Sequence, residues 1–465
     1  MPIVIDSDVN GNLEFDEGDD DITVVSGVTV TGYMNLYLGD NDILTNNGTI
    51  YYAGDYEGLP AVLSGASDTF TVFNNGSIIS DLMIDFGEPV RWDAGLASYR
   101  GDMVLVNSSE GLISGGRFGV EIRVDWDENG VEYTSAHASI TNYGEIIGGD
   151  DGIRMHGGTV DNWGTIHSDG SFDLSVIGSV FAAYDGISSY AIASTDEADI
   201  AAGLTTINNH EGGVLDGIRA GAMLSGGGHV VNDGLFTGGE AGIGVQGIQP
   251  DGSDIQSPFS LVNNGVIEGR GDGSGDGLGL VDTVGVGLFG LIGDASIENN
   301  GLIASADDGI FALSSVSIVN GEDGVIEADT DGDGEGYAIL LSSLPDEVSS
   351  VDDTVVNYGL IDGDVSLGAG DDSFTFGRGG EVNGTVSGGE GADVFVFEKK
   401  ADGGVISDFE DGVDLIDLSD LPKGHVKHMD VSQEGDDTYI TVGKTLIILE
   451  DFNAGNISAD DFIFG

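Results

Sequence analysis

One phrase returns along the chain and constrains its fold more than any other feature. It reads as an apolar residue, any residue, Asn, any residue, Gly, any residue, then Ile or a near relative. Clear copies are Asn46-Asn47-Gly48-Thr49-Ile50, Asn74-Asn75-Gly76-Ser77-Ile78, Asn142-Tyr143-Gly144-Glu145-Ile146 and Asn162-Trp163-Gly164-Thr165-Ile166. Others are Asn232-Asp233-Gly234, Asn263-Asn264-Gly265-Val266-Ile267, Asn299-Asn300-Gly301-Leu302-Ile303 and Asn357-Tyr358-Gly359-Leu360-Ile361, with looser versions ending at Gly111, Gly213 and Gly324. The shortest steps, Gly144 to Gly164 and Gly213 to Gly234, span 20 and 21 residues. Each step holds about three short segments of alternating polarity separated by Gly, Asn or Asp, and segments of that length and period are strands rather than helices. Three strands in a unit this short predict a parallel β-solenoid, because one coil cannot bury its own apolar face but stacked coils share an interior column. Asn at the corner is expected to tolerate left-handed backbone angles and to hydrogen-bond up the column, and Gly to supply φ > 0. Longer steps read as the same coil with a loop inserted at one corner.

The fold class is therefore all-β. In sequence and architecture the chain resembles a right-handed parallel β-helix, the hand following from that resemblance and from the crossover rule. Composition agrees: 40 % of residues are hydrophobic, enough for a core, and the 80 glycines go with only 7 prolines. The charge is the second strong constraint. There are 82 acidic and 13 basic residues, a net −69. Such a surface repels phosphate, which argues against nucleic-acid partners, and it offers no basic patch to anionic lipid. With no cysteine, disulfide scaffolds, thiolate zinc sites and Cys nucleophiles are excluded. The first residues, Met-Pro-Ile-Val-Ile-Asp, show no charged n-region or apolar h-region, and no apolar run approaches ~18 residues, so neither a Sec-type leader nor membrane insertion is expected. Charge of this size opposes compaction unless cations neutralise it, and the natural hard partner for carboxylate oxygens is calcium.

Near residue 367 the grammar changes. Gly368-Ala369-Gly370-Asp371-Asp372-Ser373-Phe374 is followed by Gly388-Gly389-Glu390-Gly391-Ala392-Asp393-Val394-Phe395-Val396. The second stretch matches Gly-Gly-x-Gly-x-Asp-x-U-x, U being apolar, and resembles the repeats-in-toxin (RTX) nonapeptide of secreted bacterial proteins. That resemblance implies calcium held by Asp372 and Asp393, with Gly368, Gly370, Gly389 and Gly391 shaping turns that aim backbone carbonyls at the ion. Family repeats run in tandem every nine residues, whereas Asp372 and Asp393 stand 21 apart. That matches the short coil steps upstream, so the two motifs are expected as stacked corners of successive coils continuing the solenoid.

A second acidic run, Asp6-x-Asp8-x-Asn10-Gly11-Asn12-x-Glu14-x-x-Glu17, meets the EF-hand loop pattern, with Asp6, Asp8, Asn10, Asn12 and Glu17 as candidate calcium ligands. No helix precedes it, so it is expected as an EF-like loop outside a true EF-hand. Asp329-x-Asp331-x-Asp333-Gly334 and Asp272-x-Ser274-x-Asp276-Gly277 are weaker versions, read as solvated loops. Tyr33, Tyr37, Tyr51, Tyr52 and Tyr56 cluster early in the chain and are expected to cap or pack one end of the solenoid.

After Phe395 the run Val405-Ile406-Ser407-Asp408-Phe409 … Gly412-Val413-Asp414-Leu415-Ile416-Asp417-Leu418 resembles the C-terminal domain of serralysin-type RTX exports. The final Asp460-Asp461-Phe462-Ile463-Phe464 resembles the uncleaved signal read by type I secretion systems. The resemblance implies a secreted, extracellular protein with the type I secretion machinery as a partner. No protease comes with it: His210-Glu211-Gly212 is followed by Val214 where a zinc-protease helix needs His. Asp150-Asp151-Gly152 with His156 resembles an acid pair of pectin-hydrolysing β-helices, yet Asp307-Asp308-Gly309 repeats the phrase and reads as a structural corner. The organisation expected is a cap with the EF-like loop over 1–30, β-helix repeats over 31–366, RTX repeats over 367–400 and a type I secretion domain over 401–465. The function expected is a calcium-binding structural or adhesive protein at the cell surface or in the extracellular matrix, with polysaccharide or the cell surface as partner. The alternative is a polysaccharide-active uronate lyase or epimerase, for which the stretch holding Arg91, Arg100, Arg117, Arg123 and Arg154 is the place to look.

Overall fold

A computed structural model describes residues 2–15, 21–36, 43–53, 60–64, 69–81, 94–98, 101–122, 137–171, 184–190, 204–246, 258–271, 283–289, 294–330, 332, 336–341, 351–423 and 427–465. The chain forms two compact units, one built mainly from Met1–Val245 and the other mainly from Gly252–Gly271 and Leu280–Gly465.

The N-terminal unit is a parallel β-helix of three faces. On face 1, Ala138–Asn142, Gly158–Asn162, Thr205–Asn209 and Gly228–Asn232 pair in parallel, with Asn142, Asn162, Asn209 and Asn232 in one register. On face 2, Glu145–Gly148, Thr165–Ser168, Val214–Gly217 and Leu235–Gly238 stack likewise. Face 3 carries Phe118–Ile122, Asp151–Met155, Ile187–Tyr190 and Ala220–Ser225. The period-two alternation of the sequence becomes an inside and an outside. Ile146, Ile166, Leu215 and Phe236 of face 2 are fully buried in one column, each contributing about 1.5–3 kcal/mol by leaving water. The coils begin at Ile3–Ile5, Val9–Asn10 and Leu13–Glu14, which pair with Asp21–Val24, Thr29–Thr31 and Met34–Asn35. The segment 1–30, expected as a cap, thus already carries solenoid strands. In the long step from Gly164 to Gly213, Ile187–Tyr190 keeps its place on face 3, and residues 172–183 and 191–203 lie outside the described residues.

The asparagines of the repeated phrase form a buried ladder. Nδ2 of Asn162 donates to Oδ1 of Asn209 (2.9 Å) and to the carbonyl of Val214 (3.2 Å). Its Oδ1 accepts from Nδ2 of Asn142 (2.9 Å) and from the N–H of Gly164 (3.2 Å). The amide's hydrogen-bonding capacity is filled at a position with no exposed surface, which is why an isosteric apolar residue does not substitute for it. The same chain of amide bonds runs from Asn46 through Asn74 and Asn107 to Asn142, and on from Asn209 to Asn232. The expected reason for the glycines is corrected here. Gly48, Gly144 and Gly164 do not lie at positive φ, nor do the ladder asparagines. A Cβ on Gly164 would instead strike the carbonyl oxygen of Gly144 in the neighbouring coil, so glycine is required by close stacking of backbones.

The C-terminal unit repeats the plan. Face 1 runs through Phe259–Asn263, Ala295–Asn299, Val316–Asn320, Thr354–Asn357, Ser373–Phe376, Val394–Phe397 and Leu415–Asp417, every pairing parallel. Its asparagine ladder passes from Asn263 through Asn299 and Asn320 to Asn357. At the next two coils Phe376 and Phe397 take the register of Asn357, and their rings stack at 4.5 Å and 5°. Amide bonding gives way to ring stacking at the same corner. The solenoid then closes with an antiparallel meander of Asp430–Glu434, Asp437–Val442 and Thr445–Leu449, whose last strand lies parallel to Gly403–Ile406. The terminal strand Phe462–Ile463 docks in parallel on Leu415–Asp417, burying Phe462, and a capping box from Ser458 to Asp461 fixes its entry. Among the described residues no helix is long and apolar enough to cross a membrane.

Candidate metal centre

The two glycine-aspartate motifs lie one above the other. Ser373–Phe376 pairs with Val394–Phe397, and Ala369 bridges Glu390 in parallel. Gly368, Gly389 and Gly391 take φ of 100°, 97° and 143°, the left-handed side of the map that glycine alone enters freely, whereas Gly370 does not. The N–H of Glu390 donates to the carbonyl of Gly368, and that of Gly370 to the carbonyl of Glu390, each at 2.9 Å.

Asp372 and Asp393 stand at the corner just before these strands, within a longer column. The N–H of Val316 donates to Oδ1 of Asp353 (2.7 Å), that of Asp353 to Oδ1 of Asp372 (2.7 Å), that of Asp372 to Oδ1 of Asp393 (2.9 Å), and that of Asp393 to Oδ1 of Asp414 (3.0 Å). Each carboxylate spends one oxygen on the backbone of the preceding coil. The second oxygens of Asp372 and Asp393 are buried without a hydrogen-bond partner, both residues being 1 % exposed. An orphaned carboxylate oxygen out of water is costly, and burial accordingly pushes Asp372 up to about 7 and Asp393 up to about 6. Asp353 is also pushed up to about 7 by burial, and Asp414 is raised for the same reason. Neighbouring carboxylates add to it, Asp353 acting on Asp372, and Asp414 and Asp408 on Asp393. An outer column runs alongside: Asp371 N–H donates to Asp352, and Ala392 N–H to Asp371. Asp408 accepts from Gly388 and Gly389, both at 2.9 Å.

Asp353 and Asp414 were not singled out from sequence, although a signal was present. Asp352-Asp353-Thr354 echoes Asp371-Asp372-Ser373, and Gly412-Val413-Asp414 echoes Gly391-Ala392-Asp393 at the same coil step.

The acidic run near the start is arranged differently. Asp6, Asp8, Asn10 and Asn12 lie along an extended path through Val9–Asn10 and Leu13–Glu14, both paired to the next coil, not in a loop wound around one point. Oδ1 of Asp8 accepts from the N–H of Thr29 (2.9 Å), and Oδ1 of Asn12 from that of Tyr33 (3.4 Å). Glu17 lies outside the described residues, as do Asp272, Asp276, Asp331, Asp333, Tyr37, Tyr56, Arg91, Arg100 and Arg123. The other tyrosines divide: Tyr52 is buried, Tyr33 donates to Glu14 (3.0 Å), and Tyr51 donates to Asp81. Among the described residues no three His, Asp or Glu side chains converge on one point.

The acid pair Asp150 and Asp151 is fully buried in the N-terminal unit. Arg117 Nε donates to Asp150 (3.0 Å), while Arg219 donates to both oxygens of Asp185 (3.0 and 2.7 Å). The N–H of Asp185 donates to Oδ1 of Asp151 (3.2 Å), and Oδ2 of Asp151 has no hydrogen-bond partner. Burial pushes Asp151 well up, helped by the charges of Asp150 and Asp185; Asp185 is pushed up to about 6 by burial, against the pull of Arg219. In the C-terminal unit Asp308 plays the part of Asp151, its Oδ1 accepting from the N–H of Tyr337 in the next coil (2.8 Å). The repeated Asp-Asp-Gly phrase therefore ties neighbouring coils together.

A scan against known protein families finds no match for this chain, and no curated protein matches it.

Proposed function

We propose that the chain is a secreted, calcium-binding β-helix protein with a structural or adhesive role at the cell surface or in the extracellular matrix. The observation that carries this reading is the aspartate column, with the buried and unpartnered Oδ2 atoms of Asp372 and Asp393 at stacked glycine turns. The donor chemistry suits the ion: hard carboxylate oxygens, one per coil, beside backbone carbonyls. Bound calcium would supply the positive charge that these oxygens lack. The chain's own part is to hold each carboxylate through its Oδ1 bond to the preceding coil and to keep side chains out of the turns. A Cβ at Gly389 or Gly391 would collide with the carbonyl of Gly368 or Gly370.

The type I export reading rests on the resemblance of the C-terminal stretch and gains support from Phe462. That side chain, within the phrase that resembles the export signal, is buried in the folded state, so an exporter would have to read it before folding. Uncompensated acid in calcium-poor cytosol would keep the chain loose, and calcium outside would let the column close. The carboxylates of Asp150, Asp151 and Asp185 are fully buried and held by arginine and backbone contacts, which favours a structural role over a uronate lyase or epimerase.

Calcium titration of the full chain, followed by circular dichroism, tests the reading. Little β structure in chelator and a cooperative rise at ~10⁻⁴–10⁻³ M calcium are expected. Full β signal in excess chelator, with no calcium bound, would falsify it.

A further inference from the structure

We infer that a recess on one corner of the C-terminal unit binds an acidic sugar through its carboxylate. The recess encloses about 460 Å³ and is lined by residues of successive coils. Asn357, Phe376 and Phe397 share one register on face 1, and the residues that follow them point their corners the same way in the sequence: Tyr358, then Gly377-Arg378, then Glu398-Lys399-Lys400. Three of the chain's 13 basic residues, Arg378, Lys399 and Lys400, therefore line one hollow of a protein that carries −69.

The composition of the recess selects its ligand. Glu322, Glu398 and Asp420 line it together with the three cations, so its formal charge is balanced. A multiply charged anion such as phosphate meets three carboxylates there as well as the field of the whole chain. A singly charged, hydroxylated ligand does better, because carboxylates accept from hydroxyls while the guanidinium fork and ammonium groups take the acid. Arg378 is 59 % exposed, and its contact to Glu322, at 3.4 Å through Nη2, is long and leaves the rest of the fork available. Tyr358 supplies an apolar ring beside the charges, the usual platform for the C–H face of a sugar. It is fixed in place: its hydroxyl donates to Oε1 of Glu398 (3.1 Å), and its ring lies where any Cβ on Gly377 would strike it. Lys400 is held at φ 78°, a conformation that costs a lysine energy and that sets its side chain at this corner.

The inference rests on the adhesive reading above and names its partner class, but it lies at a different corner from the aspartate column: Asp372 precedes Ser373–Phe376, whereas Gly377 and Arg378 follow it. Calcium binding and sugar binding can therefore fail separately. Titration calorimetry on the full chain at fixed free calcium, with methyl galacturonide, methyl galactoside and inorganic phosphate as probes, is the test. The singly charged galacturonide should saturate one site, with the neutral galactoside and phosphate at least tenfold weaker. Arg378→Ala and the pair Lys399→Gln with Lys400→Gln should each weaken binding at least tenfold at an unchanged β spectrum. Tyr358→Ala should weaken binding at least tenfold. Equal affinity for the neutral galactoside or phosphate, or undiminished binding in the lysine pair, would overturn the assignment whatever calcium does.

Discussion

The backbone N–H of Asp372 donates to Oδ1 of Asp393, one coil further on, at 2.9 Å. One carboxylate thus does two things. Its first oxygen replaces a backbone acceptor at a corner where the strands have not yet begun to pair, and its second is left buried without a partner. The two roles separate by substitution, because asparagine keeps an acceptor oxygen at Oδ1 while losing the charge.

Asp393→Asn should therefore preserve the fold once formed but weaken calcium binding at least tenfold, whereas Asp393→Ala should do both kinds of damage. Stranding the N–H of Asp372 costs about 1–3 kcal/mol. Urea unfolding at saturating calcium, set beside calcium titration of each variant, distinguishes them. Identical calcium affinity in the parent and Asp393→Asn would remove Asp393 from the site.

At saturating calcium, the pH dependence of stability follows from the buried carboxylates of the N-terminal unit, whose folded-state values are raised. Asp185 is pushed up to about 6 by burial, and burial raises Asp151 as well, against an unfolded value near 3.9. Between those values the folded chain holds protons that the unfolded chain has released. Stability is fully present below about pH 4 and is lost as pH rises through 6. Urea midpoints should fall from pH 4.5 to pH 7.5, and Asp151→Asn should flatten part of that slope. A midpoint that rises across this range contradicts the buried, protonated assignment of Asp151.

Breaking the amide ladder in the middle should be severe. Asn162→Ala removes the acceptor shared by Nδ2 of Asn142 and the N–H of Gly164, and the donor to Oδ1 of Asn209 and the carbonyl of Val214, in a buried column. A loss of about 3–5 kcal/mol is expected from denaturant unfolding, with Asn162→Asp at least as damaging because it buries a charge and presents no donor to Asn209. A change under about 1 kcal/mol would mean that neighbouring coils relax to close the gap.

Two glycines with positive φ provide a matched comparison. Gly391 (φ 143°) has the carbonyl of Gly370 where a Cβ would go, while Gly412 (φ 77°) has open space around it. Gly412→Ala should cost about 1 kcal/mol of backbone strain alone. Gly391→Ala should cost more than about 2 kcal/mol and reduce calcium affinity as well. Thermal melts at saturating calcium read the first effect, and calcium titration of each variant reads the second.

Much of this was legible in the chain itself. The alternation of Ile146, Ile166 and Leu215 with polar neighbours announced three-strand coils, and the 21-residue step between Asp372 and Asp393 announced stacked corners. The ladder of asparagines was also foreseeable, since one amide per coil at one register has only its counterparts to meet. The glycine explanation was not. Nothing local shows that Gly164 is needed because the carbonyl of Gly144 sits against it, since that carbonyl is twenty residues away and arrives only when the coils stack. The acidic run from Asp6 to Asn12 shows a related limit: ligand spacing says nothing of how the backbone runs, and pairing of Val9–Asn10 to the next coil holds it extended there.

The sequence by itself determined the coil, its period, the faces that turn inward and the corner at which Asp372 and Asp393 recur, because these follow from side-chain alternation and local turn preference. Tertiary structure alone decided which atoms of successive coils meet. It joined Asp353 and Asp414 to the column, left one oxygen each of Asp372 and Asp393 unpartnered, sealed Asp151 away from water, and gathered Arg378, Lys399 and Lys400 around Tyr358. Those contacts lie about a coil or more apart in sequence and depend on stacking register, a property of the assembled helix that no single repeat carries.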